Sequence, residues 1–406
     1  MNYAVKNIYG KTTSKKVNVT VPGSKSVTAR ALLLAAIASG ESTLYGVQYG
    51  DDCAAFLNCL KGLGVKTSVC GTTVKIWGCG GKLSVNGGKI NVGSAGTAAR
   101  FLPAFLAFQE GEFTLESSEQ MKKRPLEPLI KTLEDMGAKF TFHELPYRYP
   151  FTVKGTASPK TSLKVDIGKS SQFLSALLIS AVCAGAPVTV AVDGAHGLDY
   201  VNMTVEMIKA FGTEVCTDGG AYTVSGGYTA RDYKIEPDIS AACYFYAINK
   251  ILGCEINVDG IPENSLQGDI KFIRLLKNFN GGKIDMGGFS DQTLTLAAIA
   301  PYLDKPTEIV NVAHIRGQEC DRIAAITYNL TAMGVKCEER ADGVKIYPSQ
   351  PKPAKINTFG DHRVAMSFAV TGLRADGIVI ENSEVCSKTF ADFFNVLNLL
   401  CDKLTG

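Results

Sequence analysis

The chain has 406 residues, of which 46% are hydrophobic and 20% are charged, and its formal net charge is +3. This length is too great for one hydrophobic core, so the composition predicts a soluble globular protein of two domains. The small net charge and the lack of a lysine- and arginine-rich block argue against a nucleic-acid partner. No apolar run approaches the ~20 residues that would span a membrane.

Cysteine and histidine usage narrows the kinds of site that we expect. The twelve cysteines include no C-x-x-C pair, and the four histidines show no metal-ligand spacing. We therefore expect reduced thiols, no disulfide framework and no bound metal. The first residues of the chain lack the apolar segment of a signal peptide, so we expect a cytoplasmic protein.

The first strong pattern is the segment PGSKSVTAR at residues 22–30, which leads into the apolar run ALLLAAIASG. Ser24 is a predicted N-cap, so the backbone amides of the first helical turn could bind an anion. Lys25 and Arg30 add positive charge and Ser26 adds a hydroxyl, which together predict a phosphate site. This is not a Walker A loop, because Ser24 stands where that motif has a glycine. Taken alone, the segment is equally well explained by a capped helix with surface charge.

Apolar helices that begin at a small or acidic residue recur along the chain. Each is followed by a strand-like run rich in β-branched residues, then by an amphipathic helix and two further strands. The amphipathic helices end at predicted glycine C-caps such as Gly64 and Gly137. The pattern predicts six βαβαββ units, whose first helices are apolar on all sides and should lie inside a core. The predicted caps of these first helices are Ser24, Ser94, Ser170, Asp238, Asp291 and Asp361.

The two ends of the chain are predicted to belong together. The sixth unit stops without its last strands, whereas the N-terminal segment has strand character and no preceding helix. We infer that this segment completes the sixth unit. The chain then divides into residues 21–236 on one side, and residues 1–20 with 237–406 on the other, with three units in each domain. We expect crossovers near Pro22 and Pro237 and an active site in the cleft between the domains.

Nine short motifs occur in order through all six units. They are PGSKSVTARALLLAA, GSAGTAAR, MKKRP, SSQFLSALL, EPDISAA, QGD, ECDRI, FGDHRVAMSFA and SKTFADFF. Together they resemble the motifs of the 5-enolpyruvylshikimate-3-phosphate synthase family (3-phosphoshikimate 1-carboxyvinyltransferases). The resemblance implies an α/β fold of two inside-out domains, with helices inside and sheets outside. It also implies transfer of the enolpyruvyl group of phosphoenolpyruvate to the 5-hydroxyl of shikimate 3-phosphate, with release of phosphate and without a cofactor.

The resemblance also implies which residues hold the two substrates. Both substrates are phosphate monoesters that carry a carboxylate, so their site needs several fixed cations. The residues implied for phosphoenolpyruvate are Lys25, Gly96, Arg124, Gln172, Arg322, Arg363 and Lys388. Those implied for shikimate 3-phosphate are Lys25, Ser26, Arg30, Ser170, Ser171, Gln172, Tyr200, Asp291, His314 and Gln318. For any single one of them, a surface salt bridge or a plain helix cap is the alternative.

Three of these positions are implied to move protons. Asp291 matches the carboxylate that acts as base toward the 5-hydroxyl, although it could instead be a simple N-cap. Glu319 matches the residue that protonates the methylene carbon of phosphoenolpyruvate, and Lys25 shares that work. A carboxylate that acts as an acid near pH 7 needs a raised pKa, whereas neighbouring cations lower it.

Four positions depart from the commoner family pattern. Ser94 replaces an asparagine in the glycine-rich loop, and Gly197 stands near a frequent serine. His314 and Gln318 occupy positions where asparagine and lysine usually meet shikimate 3-phosphate. Because one cation is lost there, we expect weaker binding of the acceptor unless another residue substitutes.

Two alternative functions remain open. A UDP-N-acetylglucosamine enolpyruvyl transferase would share the fold and the donor, but such enzymes open with a G-A-K-N motif where this chain has GSKS. They also commonly carry a catalytic cysteine in a loop that here has the sequence SSEQMKKRPLEP. The second alternative is a non-catalytic anion-binding protein on the same fold. In each case we expect a monomer with small-molecule partners.

Overall fold

The computed structural model describes residues 1–13, 16–195 and 197–406. The chain folds into two compact units. We call Gly23–Glu236 the inserted unit, and Met1–Pro22 together with Pro237–Gly406 the split unit. Within the described ranges, no helix has the length and apolar character that a membrane crossing requires.

Strands and helices alternate through both units. The strands are β1 (Tyr3–Ala4), β2 (Lys16–Val19), β3 (Ser39–Tyr45), β4 (Lys66–Cys70), β5 (Thr73–Cys79), β6 (Gly87–Asn91), β7 (Glu112–Glu116), β8 (Lys139–Phe142), β9 (Phe151–Lys154), β10 (Ser162–Asp166), β11 (Val188–Asp193), β12 (Glu214–Asp218), β13 (Ala221–Ser225), β14 (Asp232–Lys234), β15 (Glu255–Val258), β16 (Gly282–Asp285), β17 (Thr307–Val310), β18 (Cys337–Arg340), β19 (Gly343–Ile346), β20 (Ala354–Ile356) and β21 (Ile378–Ile380). The helices are α1 (Lys25–Ile37), α2 (Asp51–Gly62), α3 (Ala98–Ala107), α4 (Glu119–Lys122), α5 (Glu127–Met136), α6 (Gln172–Ser180), α7 (Leu198–Ala210), α8 (Ile239–Leu252), α9 (Ile270–Leu276), α10 (Thr293–Ile299), α11 (Arg322–Ala332), α12 (His362–Gly372) and α13 (Phe393–Thr405).

The inserted unit contains three four-stranded sheets of the same plan. Their orders are β14-β3-β5-β4, β6-β7-β9-β8 and β10-β11-β13-β12. In the second and third sheets, the strands before and after a core helix are parallel, and an antiparallel hairpin follows. In the first sheet, the strand parallel to β3 is β14, which comes from the end of the third repeat.

The split unit contains one such sheet, β16-β17-β19-β18, and two smaller ones, β1-β21-β20 and β15-β2. Strand β2 precedes α1 in the chain, yet it is parallel to β15, which follows α8. Strand β14 precedes α8, yet it is parallel to β3, which follows α1. The two units have therefore exchanged the strands that lead into their first core helices.

The predicted completion of the sixth unit is only partly right. Strand β1 does pair with β21 of the sixth repeat, but β2 joins the fourth repeat. Ser14 and Lys15, in the same segment, lie outside the described residues. The fourth repeat also has no closing hairpin in the described structure, because residues 277–281 between α9 and β16 are too few to form one.

The first helix of each repeat is buried, as the sequence predicted. Every residue of α1 from Val27 to Ile37 is buried, and so is every residue of α3 and α12. Strands such as β10, by contrast, alternate buried and exposed residues, so one face of the sheet meets solvent. Full burial of one leucine stabilises a fold by about 1.5–3 kcal/mol, which makes these helices the main apolar core. The predicted inside-out α/β fold is confirmed.

Three of the six predicted helix caps are confirmed. The Ser24 side chain accepts a hydrogen bond from the Val27 amide, and the Asp238 side chain caps α8 in the same way. Asp361 accepts a 2.8 Å hydrogen bond from the Arg363 amide at the start of α12. Each places a helix N-terminus where the sequence predicted it.

The other three predicted caps are wrong. Helix α3 begins only after Thr97, so Ser94 lies in the preceding loop, and Ser171 rather than Ser170 is the N-cap of α6. Asp291 lies inside the 3-10 turn Gly287–Gln292 and not at the start of α10, and its carboxylate pairs with two arginines. Short loops before these helices displaced the helix starts by a few residues.

Candidate active site

In the inserted unit, the start of α1 presents Lys25. Its Nζ lies 3.5 Å from Asp52 Oδ2, at the start of α2. Lys25 also lines a small cavity whose wall includes Gln48, Asp52 and Thr97. Thr97 directly follows Gly96, so the cavity places the starts of α1 and α3 side by side. Two of the residues implied for phosphoenolpyruvate are thereby brought together.

Arg30 is buried in this unit and holds the backbone of two other predicted site residues. Its Nη1 donates to the Ser26 carbonyl at 3.0 Å, and its Nη2 donates to the Tyr200 carbonyl at 3.2 Å. Its Nε donates to Thr204 Oγ1 at 2.7 Å, and Nη2 also reaches Ser175 Oγ. These partners in the described structure are all neutral. Burial therefore lowers the pKa of Arg30 to about 10.

The loop before α3 packs against the segment that carries Arg124. A Cβ placed on Gly96 would lie 2.9 Å from Arg124 Nη1, so a side chain at this position would displace the guanidinium from where it lies. Arg100 fixes both parts: its Nη1 donates to the Gly96 carbonyl at 3.3 Å, and its Nη2 donates to the Pro125 carbonyl at 3.1 Å. The sequence motifs assigned no role to Arg100. Its position in α3, equivalent to Arg30 in α1, was the available signal.

Ser94 has a local partner in this loop. Its Oγ lies 2.7 Å from Ser118 Oγ, and Ser118 caps the short helix α4 that leads to Arg124. The serine that replaces the usual asparagine therefore connects the glycine-rich loop to the segment that carries Arg124.

At the start of α6, three predicted acceptor residues lie close together. A Cβ placed on Gly197 would lie 2.6 Å from Ser171 Oγ and 3.9 Å from Tyr200 Cδ2. Gly197 also has a φ of +63°, which favours glycine. A side chain at position 197 would therefore displace the Ser171 hydroxyl and strain the backbone. Ser170 Oγ accepts a 3.3 Å hydrogen bond from the Gln172 amide.

In the split unit, a buried arginine gathers the predicted catalytic carboxylates. The Arg322 side chain is 2% exposed, and its Nη1 lies 3.0 Å from Asp291 Oδ1. Its Nη2 lies 3.1 Å from Glu319 Oε2, and its Nε lies 2.8 Å from Asp361 Oδ2. Nη1 also donates to Gln318 Oε1. Arg322 therefore binds protein carboxylates in this structure.

Asp291 and Glu319, the two predicted catalytic carboxylates, each lie between two cations. Arg363 Nη2 is 2.8 Å from Asp291 Oδ2, and Lys388 Nζ is 3.1 Å from Glu319 Oε1. With Arg322 between them, the charges alternate along one cluster. Opposite charges at this distance favour the ionised carboxylates, and each charged hydrogen bond is worth about 1.5–3 kcal/mol.

The two unusual acceptor residues belong to the same cluster. His314 Nε2 lies 2.8 Å from Ser290 Oγ, the residue before Asp291, and Gln318 contacts Arg322 as described above. Both side chains are half-buried. The structure thus places both residues beside the predicted base.

Asp269 is a further carboxyl group of the cluster, to which the sequence motifs assigned no role. It is 4% exposed, and burial together with the charge of Asp291 raises its pKa to about 6. Its presence in the QGD motif was the only sequence signal. In the described residues, no group of three or more metal-ligating side chains could hold a metal ion.

Comparison with known proteins identifies the family. Residues 11–397 match the sequence model of the EPSP synthase family (3-phosphoshikimate 1-carboxyvinyltransferase). A 3-phosphoshikimate 1-carboxyvinyltransferase of Trichormus variabilis is 38% identical over 401 residues, covering 93% of this chain and 94% of that protein. A relative of Halalkalibacterium halodurans, 3-phosphoshikimate 1-carboxyvinyltransferase 2, is 36% identical over 412 residues, covering 94% and 91%.

A solved structure shows the same fold. The EPSP synthase of Acinetobacter baumannii superposes with a TM-score of 0.83 at 24% identity, over 98% of each chain. The family match and the relatives each extend over nearly the whole sequence. The chain belongs to the EPSP synthase family.

Proposed function

We propose that the protein transfers the enolpyruvyl group of phosphoenolpyruvate to the 5-hydroxyl of shikimate 3-phosphate and releases phosphate. The observation that carries this proposal is the charged cluster of the split unit. There Asp291 and Glu319 each lie between two cations. This arrangement supplies two proton-transfer groups beside binding groups for anions, on a chain of the matching family.

Phosphoenolpyruvate brings a phosphate of about −1.5 to −2 charge and a carboxylate, which both require cations. We assign Lys25, Arg124 and the backbone at Gly96 to the donor in the inserted unit, with Gln172 at the start of α6. In the split unit, we assign the buried Arg363 and the half-buried Lys388 to the same substrate, because their N–H groups can bind a substrate anion as well as a protein carboxylate. Arg322 is 2% exposed and surrounded by carboxylates, so we assign it to holding Asp291 and Glu319 in place.

Shikimate 3-phosphate binds, in this proposal, at the starts of α1 and α6. The hydroxyls of Ser26, Ser170 and Ser171 and the first amides of α6 are donors of the kind that bind a phosphate. Gln172 and Tyr200 complete the acceptor group. Arg30 acts indirectly, because its guanidinium holds the backbone of Ser26 and of Tyr200. His314 and Gln318, which lie beside Asp291 in the split unit, are further acceptor residues in this proposal.

The reaction needs two proton transfers for the addition step and two for the elimination of phosphate. Asp291 accepts the proton of the 5-hydroxyl as that oxygen forms a bond to C2 of phosphoenolpyruvate. Glu319, assisted by Lys25, gives a proton to the methylene carbon, which completes a tetrahedral intermediate. The methyl carbon then returns a proton to Glu319 while the bond from C2 to the phosphate oxygen breaks, which restores the double bond. The leaving phosphate takes up the proton that Asp291 holds, so both carboxyl groups return to their starting state.

Glu319 can become an acid when the donor binds. In this structure, Lys388 Nζ and Arg322 Nη2 both contact its carboxylate. A substrate anion that binds Lys388 draws this cation away from Glu319 and adds a negative charge nearby. Both changes favour protonation of Glu319.

The decisive experiment is phosphate release from phosphoenolpyruvate by the purified protein. One sample contains shikimate 3-phosphate and a parallel sample contains UDP-N-acetylglucosamine. We expect release only with the shikimate ester. Release only with the sugar nucleotide would overturn the acceptor assignment, and release with neither would favour a non-catalytic anion-binding protein.

A variant test separates catalysis from binding. In Asp291→Asn we expect turnover to fall at least ~10³-fold, because the base is lost, while binding of shikimate 3-phosphate remains within a few-fold. The matched control is Asp304→Asn at an exposed position of the same unit. Wild-type turnover in Asp291→Asn would refute the base assignment.

We also propose that the protein is a cytoplasmic monomer of two domains. None of the twelve cysteines, all within the described structure, forms a disulfide, which is typical of a reducing compartment such as the cytoplasm. We propose a monomer with domains of residues 21–236 and of residues 1–20 with 237–406. Sedimentation at micromolar concentration would test the assembly state.

A further inference from the structure

Asp269 differs from the other carboxyl groups of the cluster, because it is buried among neutral hydrogen-bond partners. It lies just before α9, is 4% exposed, and forms no ion pair within the described residues. Its Oδ2 accepts hydrogen bonds from Ser240 Oγ and, at 2.8 Å, from Gln292 Nε2. A buried carboxyl group with only neutral partners is costly to ionise, so such a group needs a reason to be present.

Its two partners lead to opposite sides of Asp291. Ser240 Oγ accepts a 3.4 Å hydrogen bond from Arg363 Nη2, and the same Nη2 lies 2.8 Å from Asp291 Oδ2. Gln292 directly follows Asp291 in the 3-10 turn, and its Oε1 accepts a 3.0 Å hydrogen bond from Thr295. One carboxyl group therefore fixes both the turn that carries Asp291 and the arginine that pairs with it.

Charged and titratable groups face Asp269 from three elements. Asp291 faces it from the 3-10 turn, and Arg363 faces it from α12. Cys243 on α8 contacts its backbone carbonyl, and burial raises the pKa of this thiol well above its ordinary value, so it stays neutral. The electrostatic effect of Asp269 therefore falls on Asp291 and Arg363.

We propose that Asp269 is a positioning residue for the reaction: through Ser240 and Gln292 it fixes Arg363 and Asp291, and its negative charge strengthens Asp291 as a proton acceptor. This proposal rests on the proposed function of Asp291 as the base. The two neighbouring arginines lower the proton affinity of Asp291. The negative charge of Asp269 raises it and so offsets part of this decrease.

The proposal explains why turnover should fall on the acid side of the pH profile. Because the pKa of Asp269 is raised to about 6, this group is ionised at pH 7.5 and becomes neutral as the pH falls below 6. Protonation of Asp269 weakens Asp291 as a base, so turnover falls with the titration of Asp269. Asp269→Asn preserves the shape and the acceptor oxygen of the neutral acid but never carries the charge.

The test compares turnover numbers from pH 5 to pH 8.5. At pH 7.5 we expect kcat of Asp269→Asn to be about tenfold below wild type, with KM for both substrates within threefold. Below pH 6 the two enzymes should converge, because wild-type Asp269 is then also neutral. A constant ratio at all pH values, or wild-type kcat in the variant, would overturn the proposal.

Two further variants separate the hydrogen bonds from the charge. Ser240→Ala breaks the link to Arg363 without changing any charge, so we expect a higher KM for phosphoenolpyruvate and an unchanged acid limb. Asp269→Ala removes the acceptor as well and should lose more activity than Asp269→Asn. Equal losses in Asp269→Ala and Asp269→Asn would contradict the positioning role. Asp304→Asn serves again as the control.

A direct titration distinguishes failure of this proposal from failure of the proposed function. Carbon-13 NMR of labelled aspartate carboxyl groups follows Asp291 in the whole protein whether or not it turns over substrate. Asp291→Asn identifies its signal. We expect its titration midpoint to fall in Asp269→Asn, and an unchanged midpoint would overturn the proposal even in an active enzyme.

Discussion

Each unit contains a buried arginine that contacts several neighbouring groups at once. Arg322 is enclosed by carboxylates, whereas Arg30 is enclosed by carbonyl and hydroxyl oxygens, although both are almost fully buried. A buried guanidinium has five donors in a fixed fork, so it can set the position of several groups at once. Both arginines thus organise the groups around them.

The ionisation of Asp269 should also affect the stability of the fold. Its folded-state pKa of about 6 is above the ordinary value of 3.8, so the folded protein binds this proton more tightly than the unfolded chain. Its contribution to the free energy of unfolding is therefore present below about pH 4 and is lost as the pH rises through about 6. We expect Asp269→Asn to melt at a higher temperature than wild type at pH 7.5.

The same comparison at pH 4 provides the internal control. There, wild-type Asp269 is largely protonated and the difference in melting temperature should shrink. Differential scanning calorimetry at both pH values measures this directly. A variant that melts lower than wild type at pH 7.5 would show that the ionised carboxylate stabilises the fold, against this expectation. A gain in stability together with a loss in kcat would mark Asp269 as a group retained for activity.

At the scale of elements, the starts of the core helices carry the site. Arg30 in α1 and Arg100 in α3 occupy equivalent places, and each donates from Nη1 to the carbonyl four residues earlier. Each arginine also reaches a second segment, Tyr200 in one case and Pro125 in the other. The same arrangement therefore occurs in two repeats. Arg30 holds the predicted acceptor residue Tyr200, and Arg100 holds the segment that carries Arg124.

Loss of the Arg100 side chain should act on the donor substrate. In Arg100→Met we expect KM for phosphoenolpyruvate to rise about tenfold, since Gly96 and the Arg124 segment lose their shared anchor. KM for shikimate 3-phosphate should stay within twofold. Steady-state kinetics with each substrate varied in turn provides the measurement.

Arg231→Met, at an exposed position of the same unit, is the matched control for this change. Arg100→Lys keeps the charge but not the fork, and it should recover only part of the affinity. A uniform loss of kcat without a change in KM would refute the anchoring role.

At the scale of the whole molecule, the exchanged strands β2 and β14 tie each unit to a distant part of the chain. Val17 and Val19 of β2 are buried beside β15, whereas Asn18 between them is exposed. The stability of the split unit therefore depends on a strand that lies more than two hundred residues away from its partner in sequence.

Val19→Asp tests this dependence. Burial of an unpaired charge at this position should lower the free energy of unfolding of the split unit by about 3 kcal/mol or more. Hydrogen exchange followed by mass spectrometry should show lost protection in β2 and β15, with the inserted unit unchanged. Asn18→Asp in the same strand is the control. Equal loss of protection in both units would show that they unfold as one.

Much of this protein followed from the sequence by itself. Apolar residues on all sides of the core helices predicted that these helices lie inside, because hydrophobic periodicity is a local property of the chain. The N-caps at Ser24, Asp238 and Asp361 could be predicted because a capping side chain binds the first turn of its own helix. The nine motifs then predicted the family, which the comparisons confirm, and they implied a set of substrate-binding residues that stays a prediction.

The tertiary structure decided what depends on partners far away in the chain. The exchange of β2 and β14 could not be predicted, because the edge of either sheet offers the same backbone donors and acceptors to any strand. The neutral hydrogen-bond partners of Asp269 could not be predicted either, because whether a carboxyl group meets an arginine or a serine depends on which helices pack together. The sequence therefore determined which chemical groups are present, and packing determined which of them form hydrogen bonds and ion pairs with one another.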